Sequence, residues 1–145
     1  MMNESNAWGP VPIRFAVGLI MVVHGLGKVF GMGPAALPIP KFTGFLAGLG
    51  IPAAPVVAWI VALIEVGGGI LVFVGLFTRV AALLVAGNML VATFLVHLPN
   101  GFSDAELTIV LCLASFSLVV SGAGRLSIRE IMADGSQQSF LSAVQ

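Results

Sequence analysis

Apolar residues fill four long blocks of the chain, and short clusters of glycine, proline or charge separate them. A helix needs about 20 mostly apolar residues to cross the hydrocarbon of a bilayer. The blocks at 13–30, 54–77, 80–98 and 104–120 meet or approach that length, the last being the shortest. The first stops at "GMGPAALPIP", and Pro52 and Pro55 open the second, where a missing N–H costs a helix nothing. Only Thr78 and Arg79 part the second from the third. "LPNGF" at Leu98–Phe102 is a turn signal, and Ser103 with Glu106 three residues later reads as a capping box opening the fourth helix. "SGAG" at Ser121–Gly124 closes it. Between the first two spans, Phe42, Phe45, Leu46 and Leu49 recur at helical spacing, which predicts a short amphipathic helix at the membrane interface.

The fold expected is therefore all-α: an antiparallel four-helix transmembrane bundle with a short interfacial helix in the first external loop. It forms a single domain over 13–121, with a tail at each end, 1–12 and 122–145. Composition agrees. Of 145 residues, 59% are hydrophobic and 8% charged, with mean hydropathy +1.12, whereas a soluble domain carries about a quarter charged residues. So short a chain has too little interior to hide that much apolar surface from water. The N-terminal stretch "MMNESNAWGPVPIR" lacks a basic leader region, so the first block reads as a mature span.

The formal charge is zero, which gives no reason to expect nucleic acid as a partner. The partners expected are the lipid bilayer and other membrane subunits or further copies of the chain. Cys112 is the only cysteine, which excludes an internal disulfide, a C-x-x-C pair and a thiolate metal cluster. With four spans, Arg14, Arg79, Arg125 and Arg129 share one side, against Lys28 and Lys41 on the other. Basic residues collect on the cytoplasmic side, so these four arginines act as topology anchors and place both termini in the cytoplasm of an inner membrane protein.

Polar residues inside the spans are few. Helical rise puts His24 about 15 Å, Asn88 about 13 Å and Glu65 about 20 Å above the arginine level. These three share a band near the membrane centre. Lys28 lies one turn beyond His24 on the same face, His97 ends the third span and Glu106 begins the fourth. Such residues face the bundle interior or a water-filled cavity, so Glu65, Asn88, His24, Lys28, His97 and Glu106 are read as a polar column. Each also has a plainer role: helix cap for Glu106, snorkelling for Lys28, interfacial position for His97, interhelical hydrogen bonding for Asn88. Glu65 is too short and too deep to snorkel. Unpaired it would take up a proton, and Glu65→Gln would then be tolerated. Paired with Lys28 or a charged histidine it would stay ionised. Gly67, Gly68 and Gly69 form a smooth patch for close helix packing. No strand precedes them, so they are not a phosphate loop.

"HGLGK" at His24–Lys28, "FLAGLGIP" at Phe45–Pro52, "IEVGGGILVFVGLFTRVAA" at Ile64–Ala82, "MLVATFLVH" at Met89–His97, then "NGF", Glu106 and "GAGRLSI" at Gly122–Ile128 occur in this order. The set resembles the DoxX family of small four-helix membrane proteins. That resemblance implies association with quinol-oxidase or thiosulfate–quinone oxidoreductase complexes, without an agreed catalytic mechanism. A quinone is the candidate ligand, since its carbonyls need donors at the edge of an apolar cavity. The chain has no haem attachment motif or nucleotide fingerprint. A depth gap of about 12 Å between His24 and His97 argues against their sharing one haem iron, and no ligand spacing supports a metal. The function expected is an accessory or quinone-interacting subunit of a membrane redox complex. The alternatives are a non-catalytic scaffold or assembly subunit, and a small proton-coupled transporter.

Overall fold

A computed structural model describes residues 8–128. The tails expected at 1–12 and 122–145 fall largely outside that range, as does the anchor Arg129. The described residues are helical, without strands. α1 is Pro10–Phe30, the short α2 is Ile39–Gly48, α3 is Ala54–Val74, α4 is Thr78–Asn100 and α5 is Phe102–Ser121. All but α2 are long and apolar enough to cross a membrane.

The ends follow local chemistry. α1 stops at Gly31, which takes a left-handed conformation (φ 66°) and donates its N–H to the Gly27 carbonyl. α3 ends at Val74 rather than at 77, because Gly75 (φ 77°) turns the chain and returns its N–H to Leu71. α4 correspondingly starts two residues early, at Thr78. α5 is longer than its apolar block at both ends. The expected capping box does not form: Gly101 occupies the cap position, the helix begins at Phe102, and no side chain caps it. Ser103 is thereby already inside the first turn, out of reach of the cap role.

Two spans are not regular. α3 contains a π turn at Ile64–Gly68, and α4 contains another at Thr93–His97, followed by a 3₁₀ turn at Leu98–Asn100. A π turn inserts an extra residue into the helical repeat, and such turns recur at functional sites.

Packing relies on small residues. Ala58, Ala62, Ala82, Ala86 and Ala105 are fully buried, which lets backbones approach where lipid supplies no hydrophobic drive between helices. Gly68 meets Val85 of α4, and Gly69 meets Met21 and Val22 of α1. Gly67 has open space beside it, so only two of the three glycines serve close packing. α1 contributes its own: Gly18 lies against Phe73 and Gly69, and Gly25 against Glu65 and Val66. Around Val17, Met21, Val72, Val85, Met89, Leu111 and Leu118 the four spans form one apolar core. α2 makes a second with the start of α3, through Phe42, Leu46, Ala54 and Ala58. Leucine, valine and phenylalanine side chains such as Leu63, Leu83, Phe94, Val110 and Leu113 face outward, as hydrocarbon requires.

The end of the bundle where α1 begins and α5 ends is closed by Arg14. Its side chain is fully buried and donates from Nη1 to the Ala123 carbonyl (2.9 Å) and from Nη2 to the Leu126 carbonyl (2.7 Å). Gly75 is required here. A Cβ at that position would lie 2.5 Å from both Arg14 Nη1 and Ser127 Cβ. Arg79 donates to the Val120 carbonyl at 3.2 Å, and the Arg125 guanidinium lies over the Trp8 ring.

Candidate functional site

Lys28 and Glu65 meet inside the bundle. Lys28 Nζ donates to Glu65 Oε2 at 2.6 Å, with side chains 10% and 5% exposed. The sequence around each explains the contact. Glu65 projects from the π turn of α3, and Gly25 lets that turn lie directly against α1; a Cβ at Gly25 would sit 2.7 Å from the Val66 nitrogen. Gly27 does the same for the following loop, which folds back until Ala35 touches it. Gly25 of "HGLGK" thus brings Glu65 against the helix that carries Lys28, and Gly27 admits the loop that leads to α2. From the other side Phe42 of α2 closes over the ammonium, 5.0 Å from ring centroid to Nζ, a cation–π distance.

The pair borders a cavity of about 720 Å³, within the 300–1,000 Å³ usual for small-molecule sites. All five helices contribute to its wall. Polar groups are few: His24, Lys28, Glu65, Asn88, His97, Asp104 and Thr108. Each is held differently. His24 Nδ1 is 2.9 Å from the Ile20 carbonyl; a carbonyl only accepts, so Nδ1 carries the proton and Nε2 of the neutral ring is an acceptor. Thr93 and Thr108 join hydroxyls at 2.9 Å and tie α4 to α5 beside the cavity. At its outer mouth His97 Nδ1 lies 3.0 Å from Asp104 Oδ2, and Asn100 donates to the same oxygen at 3.4 Å. The Asn88 amide nitrogen is buried without a hydrogen-bond partner among the described residues, and it belongs to the cavity wall. A buried donor left unsatisfied is destabilising by about 1–3 kcal/mol.

Five of the six column residues share this cavity. Glu106 does not: it is exposed on α5 and absent from the wall. Asp104, two residues earlier, faces His97 instead. Glu106 was placed in the column by its position at the head of the fourth span, which gives depth but not the face a residue occupies. Thr93, Thr108 and the ring of Phe42 were also not legible as site residues. Threonines within a span pass for packing, and the α2 pattern marks Phe42 only as part of an apolar face. Among the described residues no three His, Cys, Asp or Glu side chains gather as a metal site would require.

The DoxX family model matches residues 9–98. The chain belongs to the DoxX family. The matched DoxX segment contains His24, Lys28, Glu65, Asn88 and His97, and ends before Asp104 and Thr108. A relative from Bacillus subtilis (strain 168), named "Putative oxidoreductase CatD", is 33% identical over 143 residues, covering 98% of this chain and all of the relative. No solved structure matches this DoxX protein significantly.

Proposed function

We propose that this protein is a quinone-binding accessory subunit of a membrane redox complex. The observation that carries this reading is an apolar cavity bordered by donors that are not fully used. The Asn88 amide nitrogen has no partner among the described residues, although it is covered in the ligand-free structure, and the Lys28 ammonium gives one of its three N–H groups to Glu65. A quinone ring has two carbonyl oxygens that only accept, and its faces and substituents are apolar. Glu65 and His24 Nε2 add groups able to hold a proton beside the ring. The name of the Bacillus relative points the same way. The sequence contains no haem attachment motif, cysteine cluster or nucleotide fingerprint, so on this reading the electrons come from a partner subunit. With the arginine-rich end in the cytoplasm, the cavity lies in the outer half of the bilayer.

A transport reading is less well supported. Between the cavity and the terminal end lies the close-packed layer of Val17, Val72, Val85 and Leu118, all buried, and below it the Arg14 closure. The cavity is closed toward that end.

The test is quinone binding by protein in lipid nanodiscs, with a benzoquinone and a naphthoquinone of equal tail length. Saturable binding that weakens about fivefold in Asn88→Leu is expected, from loss of roughly 1 kcal/mol of hydrogen bonding. Failure of both ring classes to bind saturably overturns the reading. For the accessory role, crosslinking in native membranes should recover a redox-active partner, and recovery of this chain alone counts against it.

A further inference from the structure

The cavity is open on its flank. The first half of α3 (54–63) packs on α1 and α2, whereas its π turn and second half pack on α1 and α4. The π turn of α4 packs on α5. No extended packing joins 54–63 to 93–97. The two irregular turns therefore mark where α3 and α4 separate. Val57 and Val61 line the cavity from one side of the gap, Val91 and Leu95 from the other. Val91 is 55% and Leu95 50% exposed. A side chain that both lines a cavity and faces outward stands at an opening, and here the outside is hydrocarbon.

We propose that this gap is a lateral portal by which a membrane-dissolved quinone enters ring first, leaving its tail between Val57 and Val61 on one side and Val91 and Leu95 on the other. The proposal rests on the quinone reading above and adds the entry route and the requirement for a long apolar tail. Three features favour it. The gap is apolar throughout, unlike the outer mouth with His97 and Asp104. It leads to Glu65, which stands on the π turn at its inner end. And Val57 and Val61, across the gap from Val91 and Leu95, are only partly buried.

The experiment narrows the gap without touching the donors. Val61→Phe combined with Val91→Phe adds a ring on each side, and Val110→Phe, on an exposed face of α5 away from the cavity, is the control. Association of a decyl-tailed benzoquinone and of the same ring without a tail is measured in nanodiscs by stopped-flow quenching of tryptophan fluorescence. The portal predicts at least tenfold slower association of the tailed compound in the double variant, with the tail-free ring and the control unchanged. Wild-type association of the tailed compound in the folded double variant overturns the portal while leaving the quinone reading intact. Absence of binding to the unaltered protein removes both. Should the double variant fail to fold, Leu95→Cys in a Cys112→Ser background supplies the same obstruction after folding, by labelling with a bulky maleimide. Unchanged association after full labelling is again fatal to the portal.

Discussion

Replacing Lys28 with methionine keeps most of the side-chain volume and leaves Glu65 with no cation beside it, so that it must either stay an unpaired buried carboxylate or take up a proton. Both side chains are nearly out of reach of solvent, at 10% and 5% exposure, so water cannot substitute. Removing one partner of a buried ion pair is destabilising by about 3–5 kcal/mol. In a domain of this size each kcal/mol moves the thermal midpoint by about 2–4 °C, so Lys28→Met should melt at least about 6 °C lower. Glu65→Leu should do the same by stranding the ammonium. Glu65→Gln should also lose stability, because it keeps the shape but not the charge that Lys28 faces; its tolerance would require a protonated Glu65. The double variant Lys28→Met/Glu65→Leu leaves no uncompensated charge and should recover most of the loss. Four melting curves in one detergent, followed by circular dichroism, give the coupling energy as a double-mutant cycle. A charged pair predicts coupling of about 3 kcal/mol or more. A neutral hydrogen bond between membrane helices averages about 0.6 kcal/mol. Coupling below about 1 kcal/mol would therefore refute the ion pair as the element that joins α1 to α3.

Three further outcomes follow from the geometry. Gly69→Ala should lower the melting midpoint, at about 1–3 kcal/mol for overpacking, because its Cβ would meet Met21 Cβ and the Val22 nitrogen, each at 2.9 Å. Gly67→Ala has open space and should be neutral or stabilising by up to about 1 kcal/mol of helix propensity; equal effects of the two would undo the packing assignment. Asn88→Leu should raise the midpoint of the ligand-free protein while weakening quinone binding, opposite signs that a purely structural asparagine would not give. Arg14→Lys loses the planar fork that spans Ala123 and Leu126 and should cost about 1.5–3 kcal/mol, read as a lower midpoint and faster proteolysis near 123–127.

The spans, their order and the interfacial helix were legible because hydropathy and helical spacing report burial directly. Their ends were less so. Gly75 ends α3 by its left-handed turn, and what demands a glycine there, the Arg14 side chain and Ser127, lies far away in sequence. The site was partly legible. Rarity in a greasy background singled out Glu65, Asn88, His24, Lys28 and His97, and the i, i+4 relation placed His24 and Lys28 on one face. The choice of partner for Glu65 was not, since rise per residue gives depth but not rotation, and the π turn that aims Glu65 leaves no mark in composition. Gly18 and Gly25, a heptad apart on α1, did carry a packing signal, overshadowed by the triple glycine on α3.

The Arg14 closure also bears on how the protein is made. Arg14 leaves the ribosome more than a hundred residues before Ala123 and Leu126, the carbonyls that satisfy it. Until the last span has emerged, the Ala123 and Leu126 carbonyls are not there to accept from its guanidinium, and the first span has reason to stay near the edge of the bilayer rather than settle. The segment 123–126 thus works as a latch, and a nascent protein cut short before residue 123 should be marked by an arginine without those acceptors that quality-control proteases can find.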